Sequence, residues 1–320
     1  MVDICTSVPL AIAWVVIGVG DMREALDLWV GHFGMEVLVR REGRDAELAR
    51  AWGLADDGIV DQALLLTPGQ HEGGVHLVRF REPGPAVRAG AAPTDLLPKS
   101  VDVAVRDIAA RRDELAASGY RFRSAIGVLE TGDVKVHEVH MTGHDDLNIV
   151  LVEQPAHPDP VSPRGYGVAP LIVTVSPDNE AEAQFLKCLL GLEEIAHNRF
   201  GGPSVEKTIG LPPGASLDVR ILGDAARPFG RIELVQYEGV AGENRYPRAR
   251  APARGQLSIT YAVDDLSPWL AGSPANGVKL LSRGAGIYGA GRMATLTTPA
   301  GLRVDLVERA PTRVRAHPDS

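Results

Sequence analysis

The sequence predicts an α+β fold of four β-α-β-β-β units, paired into two cup-shaped half-barrel domains. Three observations lead there. Gly73–Phe80 (GGVHLVRF) returns as Gly230–Tyr237 (GRIELVQY), a step of 157 from residue 73 to residue 230. The same step carries Gly34 to Gly191 and Gly53-Leu54 to Gly210-Leu211, and a step of 156 carries Trp14 to Pro170. A register held this long marks an internal duplication. Finally, each half holds a second unit of the same order, VDVAVRDI at 101–108 being answered by SITYAVDDL at 258–266.

The elements of unit one follow from pattern. Ala13–Val19 is an apolar run of strand length, and Asp21 is placed to cap a helix. Leu26, Trp29, Val30 and Phe33 then fall on one helical face, and Gly34 stops the helix. Strand-like runs follow at Glu36–Arg40, Gln62–Thr67 and Val75–Phe80, and the Pro-, Ala- and Gly-rich stretch Arg81–Lys99 reads as a crossing linker. Unit two has a strand at Val101–Val105, a helix from Asp107 to Ser118 stopped by Gly119, and runs at Tyr120–Phe122, Lys135–Met141 and Asn148–Glu153. Pro155–Tyr166 is the most Pro-rich segment and sets the domain boundary: 1–154 holds units one and two, 155–166 is a linker, and 167–310 holds units three and four. Unit three (Val168–Tyr237) copies unit one, with Ala183, Leu186 and Leu190 on its helix face. Unit four (Gln256–Glu308) copies unit two, and the tail from Arg309 reads as frayed.

Composition bounds the function. The 320 residues are 45 % apolar, enough for real cores, and a net charge of −8 without a basic run gives no footprint for nucleic acid. Two cysteines, Cys5 and Cys188, are too few for a disulfide framework and fit a reducing cytoplasm. The apolar run Val8–Val19 is too short to span a bilayer, lacks a preceding Lys or Arg, and reads as a buried first strand.

A four-stranded sheet with one helix leaves its other face bare. A second sheet must cover it, and two facing sheets enclose a small-molecule cup. The segments 15–37 (VVIGVGDMREALDLWVGHFGMEV), 230–239 (GRIELVQYEG), 261–266 (YAVDDL) and 298–308 (TPAGLRVDLVE) resemble the vicinal oxygen chelate superfamily, which includes glyoxalase I, extradiol dioxygenases and bleomycin resistance proteins. That resemblance implies the glyoxalase/bleomycin-resistance/dihydroxybiphenyl dioxygenase fold. It also implies metal-ligand positions at the opening of the first strand and in the last strand of each module. Those positions here are Trp14 and Ser100 with His76 and Leu151 in the first half, and Pro170 and Ser258 with Glu233 and Asp305 in the second. Trp, Leu and Pro cannot ligate, and neither half carries a two-His-one-carboxylate set. The expected cofactor is therefore none, and ring cleavage by iron ranks third.

The remaining side chains suggest proton transfer. His76 is either a buried histidine satisfied by a hydrogen bond or a general acid/base. Glu233 and Asp305, if they meet in a dry pocket, form a carboxyl pair with one raised pKa. Trp14 either plugs a cup or stacks on a flat ligand, and Tyr237 alternates onto the same face as Glu233. His137 and His140 fall on opposite faces of one strand, so a single one reaches the cup. The glycine-rich segment 284–291 (GAGIYGAG) lacks the setting of a phosphate loop and reads as a lid or hairpin. The predicted function is a metal-independent lyase or isomerase. His76, Glu233 and Asp305 are its catalytic candidates; Trp14, Ser100, His137, His140, Tyr237 and Ser258 are its substrate-binding candidates. The alternative is a protein that sequesters a small molecule. Either way the partner is a small aromatic or carbonyl compound rather than nucleic acid or membrane, and a homodimer is compatible with the layout.

Overall fold

The computed structural model describes residues 10–131, 134–156, 159–271, 278–282 and 286–309. Cys5, the side chain of Pro170, the start of the glycine-rich segment and the tail from residue 310 lie outside the described residues. Module 1 comprises β1 (Ile12–Val19), α1 (Met22–Leu26) continued by a wider π-type run (Asp27–His32), β2 (Glu36–Glu42), α2 (Ala46–Ala51), β3 (Ile59–Leu66) and β4 (Gly74–Phe80). Module 2 comprises β5 (Pro98–Val105), α3 (Ile108–Ala117), β6 (Arg121–Phe122), β7 (Gly127–Thr131), β8 (Val134–Thr142) and β9 (Asn148–Glu153). Module 3 follows with β10 (Tyr166–Val175), α4 (Asn179–Leu190), β11 (Glu193–Gly201), α5 (Pro203–Ile209), β12 (Ser216–Gly223) and β13 (Arg231–Glu238). Module 4 contains β14 (Gly255–Val263), α6 (Ser267–Ala271), β15 (Lys279–Ser282), a 3₁₀ turn (Gly286–Tyr288), β16 (Met293–Thr297) and β17 (Arg303–Glu308).

Local chemistry sets the helix ends. The Asp21 carboxylate accepts from the backbone N–H groups of Arg23 and Glu24, and Asp178 accepts from Ala181 at the start of α4. Gly191 closes α4 at φ 66°, a left-handed conformation that a side chain would strain. Two short helices, α2 and α5, add to the predicted elements. Asp45 caps the first, and Pro203 with Gly210 frames the second.

The module pairing differs from expectation. Module 1 does not share a sheet with module 2. An eight-stranded sheet runs β15-β16-β17-β14-β1-β4-β3-β2, joining modules 4 and 1, and the larger sheet runs β11-β12-β13-β10-β5-β9-β8-β6, joining modules 3 and 2. The seams are antiparallel, β1 against β14 and β10 against β5. The two halves of the chain are therefore interleaved. Each cup takes one module from either side of residues 155–166, which corrects the expected pairing of consecutive modules. Adjacent modules in sequence are joined by a crossing segment, and pairing the outer two and the inner two satisfies both seams.

Strand alternation sends one face of both sheets to a common core and the other to the cups. Val15, Ile17, Val101, Val103, Ile172, Ile232 and Ile259 join Trp29, Leu115, Leu186 and Trp269 of the helices in a single buried cluster. Val16 instead faces cup one (modules 1 and 4), and Val173 faces cup two (modules 2 and 3). A polar knot ties the cups together. Trp29 Nε1 donates to His144 Nε2 (2.9 Å), His144 Nδ1 contacts Asp145 Oδ2 (3.0 Å), and Asp145 accepts from Arg254 and from the Gly20 N–H. No helix among the described residues is long and apolar enough to cross a membrane.

Both seams carry the same irregularity. Val16 pairs with Ser258 and Ile17 with Gln256, skipping Leu257; Val173 pairs with Ser100 and Thr174 with Pro98, skipping Lys99. Such a bulge turns two consecutive side chains to one face. Beside the first seam, the Trp14 ring lies over Gly74, where a Cβ would come within 2.4 Å of it and 2.7 Å of the Leu65 carbonyl. Gly74→Ala is expected to destabilise the fold by about 1–3 kcal/mol through overpacking. Chemical denaturation would measure it, and an unchanged midpoint would show that the ring moves freely.

Candidate functional site

Cup one is filled. Leu48 of α2, Trp52, Leu64, Phe80, Leu257, Ile287 and Met293 pack inside it, and Trp14, half-buried, joins them. A void of about 10 Å³ remains between Trp52, Ser258 and Arg303, room for a single water at most. His76 is fully buried there. The Tyr288 hydroxyl donates to its Nδ1 (2.6 Å), and its Nε2–H donates to Gln62 Oε1 (3.1 Å). Gln62 passes the chain on to Asp45 (3.1 Å), the cap of α2. Burial holds the imidazole pKa down to about 3, so His76 is neutral and engaged on both nitrogens. Asp305, also fully buried, takes a hydrogen bond from Arg303 Nε (2.9 Å).

Cup two is open. A cavity of about 260 Å³ lies between β5, β8, β9, β10, β12 and β13. Its walls are apolar, with Leu129, Val136, Val150, Val173, Phe200 and Val219 among them. Set into those walls are Lys99, Ser100, Asp102, Glu138, His140, Glu233 and Tyr237. The seam bulge brings Lys99 and Ser100 in together. Lys99 is 6 % exposed, and its Nζ donates to the Pro93 carbonyl (3.0 Å) and sits 4.5 Å over the Tyr237 ring. Asp102, equally buried, accepts from Ser100 Oγ (3.3 Å). His140 Nε2 lies 3.3 Å from Glu138 Oε1 and its Nδ1 3.4 Å from Asn148 Nδ2. Tyr237 Oη is buried and finds no hydrogen-bond partner among the described residues.

The charges in cup two are displaced from their ordinary ranges. Burial, reinforced by the Glu138 charge and opposed by Lys99, pushes Glu233 up to about 7. Burial and then the Glu233 and Glu138 charges raise Asp102 well above the carboxylate range. Burial, aided by the Arg88 charge, brings Lys99 down to about 7. An acid and a base poised near neutrality in an apolar hollow are the usual makings of proton-transfer chemistry. A larger concavity of about 790 Å³ near α1 and β2 is an open groove, where Arg40 pairs with Asp61 and Arg23 with Asp21.

Solved structures share this architecture. Glyoxalase I from Zea mays is similar over 93 % of this chain and 92 % of its own, at 15 % identity and a TM-score of 0.64. Its V278E mutant gives the same coverage at 16 % identity, again at 0.64. A putative dioxygenase from Bacillus subtilis is similar over 96 % of this chain and 87 % of its own, at 13 % identity and a TM-score of 0.56. The chain has the vicinal oxygen chelate fold. No protein-family model matches it, and a search of curated proteins gives no match.

The vicinal oxygen chelate fold raises the question of a metal, and the donor sets do not fit one. In cup two the seam and last-strand positions around Glu233 carry Val173, Ser100 and Val150. In cup one, His76 has both nitrogens engaged and Asp305 is paired with Arg303. Among the described residues no three His, Cys, Asp or Glu side chains are grouped to hold an ion.

The predicted residues thus divide between two cups. Glu233, Ser100, His140 and Tyr237 line the open cavity. His76, Asp305, Trp14 and Ser258 belong to the filled one. The expected meeting of Glu233 with Asp305 does not occur, because the strand order places modules 3 and 4 in different sheets. His137 points away from the cavity and lies 3.5 Å from Glu153. Leu151 belongs to the common core, and Val150 and Val152 face the cavity instead. Lys99, Asp102 and Glu138 were missed. Alternation from His140 marks Glu138, whereas Lys99 stood at the end of the Pro-rich stretch read as linker.

The raised Glu233 pKa has a thermodynamic consequence. The folded state holds this proton above the ordinary carboxylate range, so the contribution is full at low pH and is lost as pH climbs towards about 7. Glu233→Gln is expected to raise Tm by a few degrees at pH 8 and to match the parent near pH 4. Thermal unfolding at both pH values checks this, and a less stable variant at pH 8 contradicts the burial assigned to Glu233.

Proposed function

We propose that this protein is a lyase or isomerase working by proton transfer on a small carbonyl compound bound in cup two, without a metal ion. The observation that carries the reading is Glu233, set among apolar strands with its pKa near 7, facing a cavity that also holds Asp102, Lys99 and an unpartnered Tyr237 hydroxyl. The donor set does not suit a divalent ion, which weighs against glyoxalase- or dioxygenase-type metal chemistry.

In this reading the ionised Glu233 carboxylate removes a proton from carbon next to the substrate carbonyl. The C–H electron pair moves into the carbonyl, leaving an enolate. The Tyr237 hydroxyl, the Lys99 ammonium or the protonated Asp102 donates a hydrogen bond to the enolate oxygen, a stabilisation that grows with the developing charge. Glu233 then returns the proton to carbon, or a β-substituent leaves. No electrons are exchanged with a second reagent. Ser100 and His140 orient the substrate against the carboxyl groups. His76, Asp305, Trp14 and Ser258 act in this scheme as the interior of a supporting cup.

A second reading, sequestration of a small molecule, is favoured by the apolar walls alone. Hydrogen exchange separates the two. In D₂O the parent protein is expected to wash deuterium into the α-position of small aldehydes and ketones, followed by NMR. Glu233→Gln should slow this by about 10²–10⁴-fold, and His76→Asn, if it folds, should leave the exchange per folded molecule unchanged. Ligand binding without exchange would establish sequestration instead.

The pH profile is a separate test. Glu233 must be ionised and Lys99 charged, and both titrate near 7. The rate kcat/KM should therefore rise to a narrow maximum near neutrality and fall above it, its limbs belonging to the coupled pair. Activity that climbs steadily to pH 9 would remove Lys99 from the scheme.

A further inference from the structure

A second cavity, about 250 Å³, opens beside the first and shares Lys99, His140 and Ile209 with it. Four cationic side chains line it: Arg88, Lys99, Arg123 and Lys207. No Asp or Glu does, in a chain whose net charge is −8. Among the described residues none of the four forms an ion pair, although most arginines of this protein do. Lys99 Nζ is satisfied by the Pro93 carbonyl alone, Arg88 Nη1 donates to the Lys99 carbonyl (3.2 Å), and Arg123 Nε donates to Thr142 Oγ1 (2.8 Å). Arg88 Nε is buried and has no hydrogen-bond partner among the described residues.

The four are graded by depth. Lys207, near the end of α5, and Arg123 are exposed at the rim; Arg88 is half-buried, and Lys99 is buried where the two cavities meet. Burial, then the Arg88 charge, lowers Lys99, and burial, then the Arg123 charge, lowers Arg88. Asp146 and Asp95 act on Arg88, and Glu138, Glu233 and Asp102 on Lys99, in the opposite sense from outside the cavity wall. Like charges gathered in a cleft whose lining carries no carboxylate create a positive potential inside it. The carboxyl groups Glu138, Asp102 and Glu233 lie in the adjoining apolar chamber.

We infer that this cavity is the anion subsite of cup two, and that the ligand is an apolar molecule carrying one carboxylate or phosphate. The anionic group seats among Arg88, Arg123 and Lys207, with Lys99 at the junction. The apolar body then extends past Lys99 towards Glu233. This deepens the proton-transfer reading, yet the subsite rests on charge and geometry that do not require turnover.

Isothermal titration of the intact protein with benzoate, phenyl phosphate and neutral benzamide tests it. At least one of the two anions is expected to bind 10-fold or more tightly than benzamide, and which one does so distinguishes a carboxylate from a phosphate site. Arg88→Gln and the double variant Arg123→Gln with Lys207→Gln should each weaken that anion 10-fold or more and leave benzamide unchanged. The rim double variant covers the case in which Arg88→Gln fails to fold. Glu233→Gln should keep the anion preference, so loss of catalysis and loss of the subsite are read separately. Equal binding of all three probes, or variants that bind the preferred anion as the parent does, overturns the subsite whatever the outcome of the exchange assay.

Discussion

The antiparallel seams hold this molecule together. β1 pairs with β14 and β10 with β5, so each sheet is completed by a module from the other half of the chain. Neither half can leave without opening both sheets and exposing the shared core. The knot of Trp29, His144, Asp145, Arg254 and the Gly20 N–H strengthens the same junction, drawing on modules 1, 2 and 4. Strand pairing, helix packing and the two cups all presuppose this interleaving.

Within that frame, duplication has produced two cups of opposite character from equivalent positions. The seam bulge delivers Leu257 to cup one and Lys99 to cup two. The last-strand position beside it is His76 in one and Glu233 in the other. Where cup one has α2 and the 3₁₀ turn packed across its interior, α5 meets cup two at its wall, through Val205 and Ile209. A buried neutral histidine with both nitrogens engaged resembles a tie between α2 and module 4. It costs little, because each polar atom has its partner. Lys99 and Asp102 are different: both are buried, Glu233 is half-buried beside them, and among the described residues no ion pair joins the three.

Much of this was legible in the sequence, but unevenly. The repeat of Gly73–Phe80 at Gly230–Tyr237 exposed the duplication because both copies keep the same apolar alternation. Asp21 and Gly191 marked helix ends through local chemistry that needs no tertiary context. Module pairing was illegible for a physical reason: all four modules offer a first strand of the same apolar kind, and only three-dimensional packing chooses among seams. The error propagated to Glu233 and Asp305, which were matched because their modules were matched. Lys99 was hidden by two effects at once, its place beside Pro98 and a bulge that breaks the period-two rule. Glu138 is legible from alternation, since it shares a strand face with His140.

The energetics of cup two argue that its charges are there for use. A buried ion pair can offset its own desolvation through close contact, whereas separated buried charges cannot. Lys99 sits against a carbonyl and the Tyr237 ring rather than a carboxylate, and Glu233 and Asp102 are raised rather than lowered by their surroundings. An apolar residue at each of these positions would avoid that desolvation cost; Leu257, at the place in cup one equivalent to Lys99, is packed in an apolar cluster. Stability alone would favour a second filled cup. In the proposed reading, a ligand that completes them is what makes a lysine without an ion pair among the described residues and raised carboxyl groups sensible together. Its negative end would quench the cationic cavity, and its reactive carbon would lie against Glu233. In the proposed reading the two neighbouring cavities are halves of one site, with Lys99, which lines both, at the point where recognition passes into chemistry.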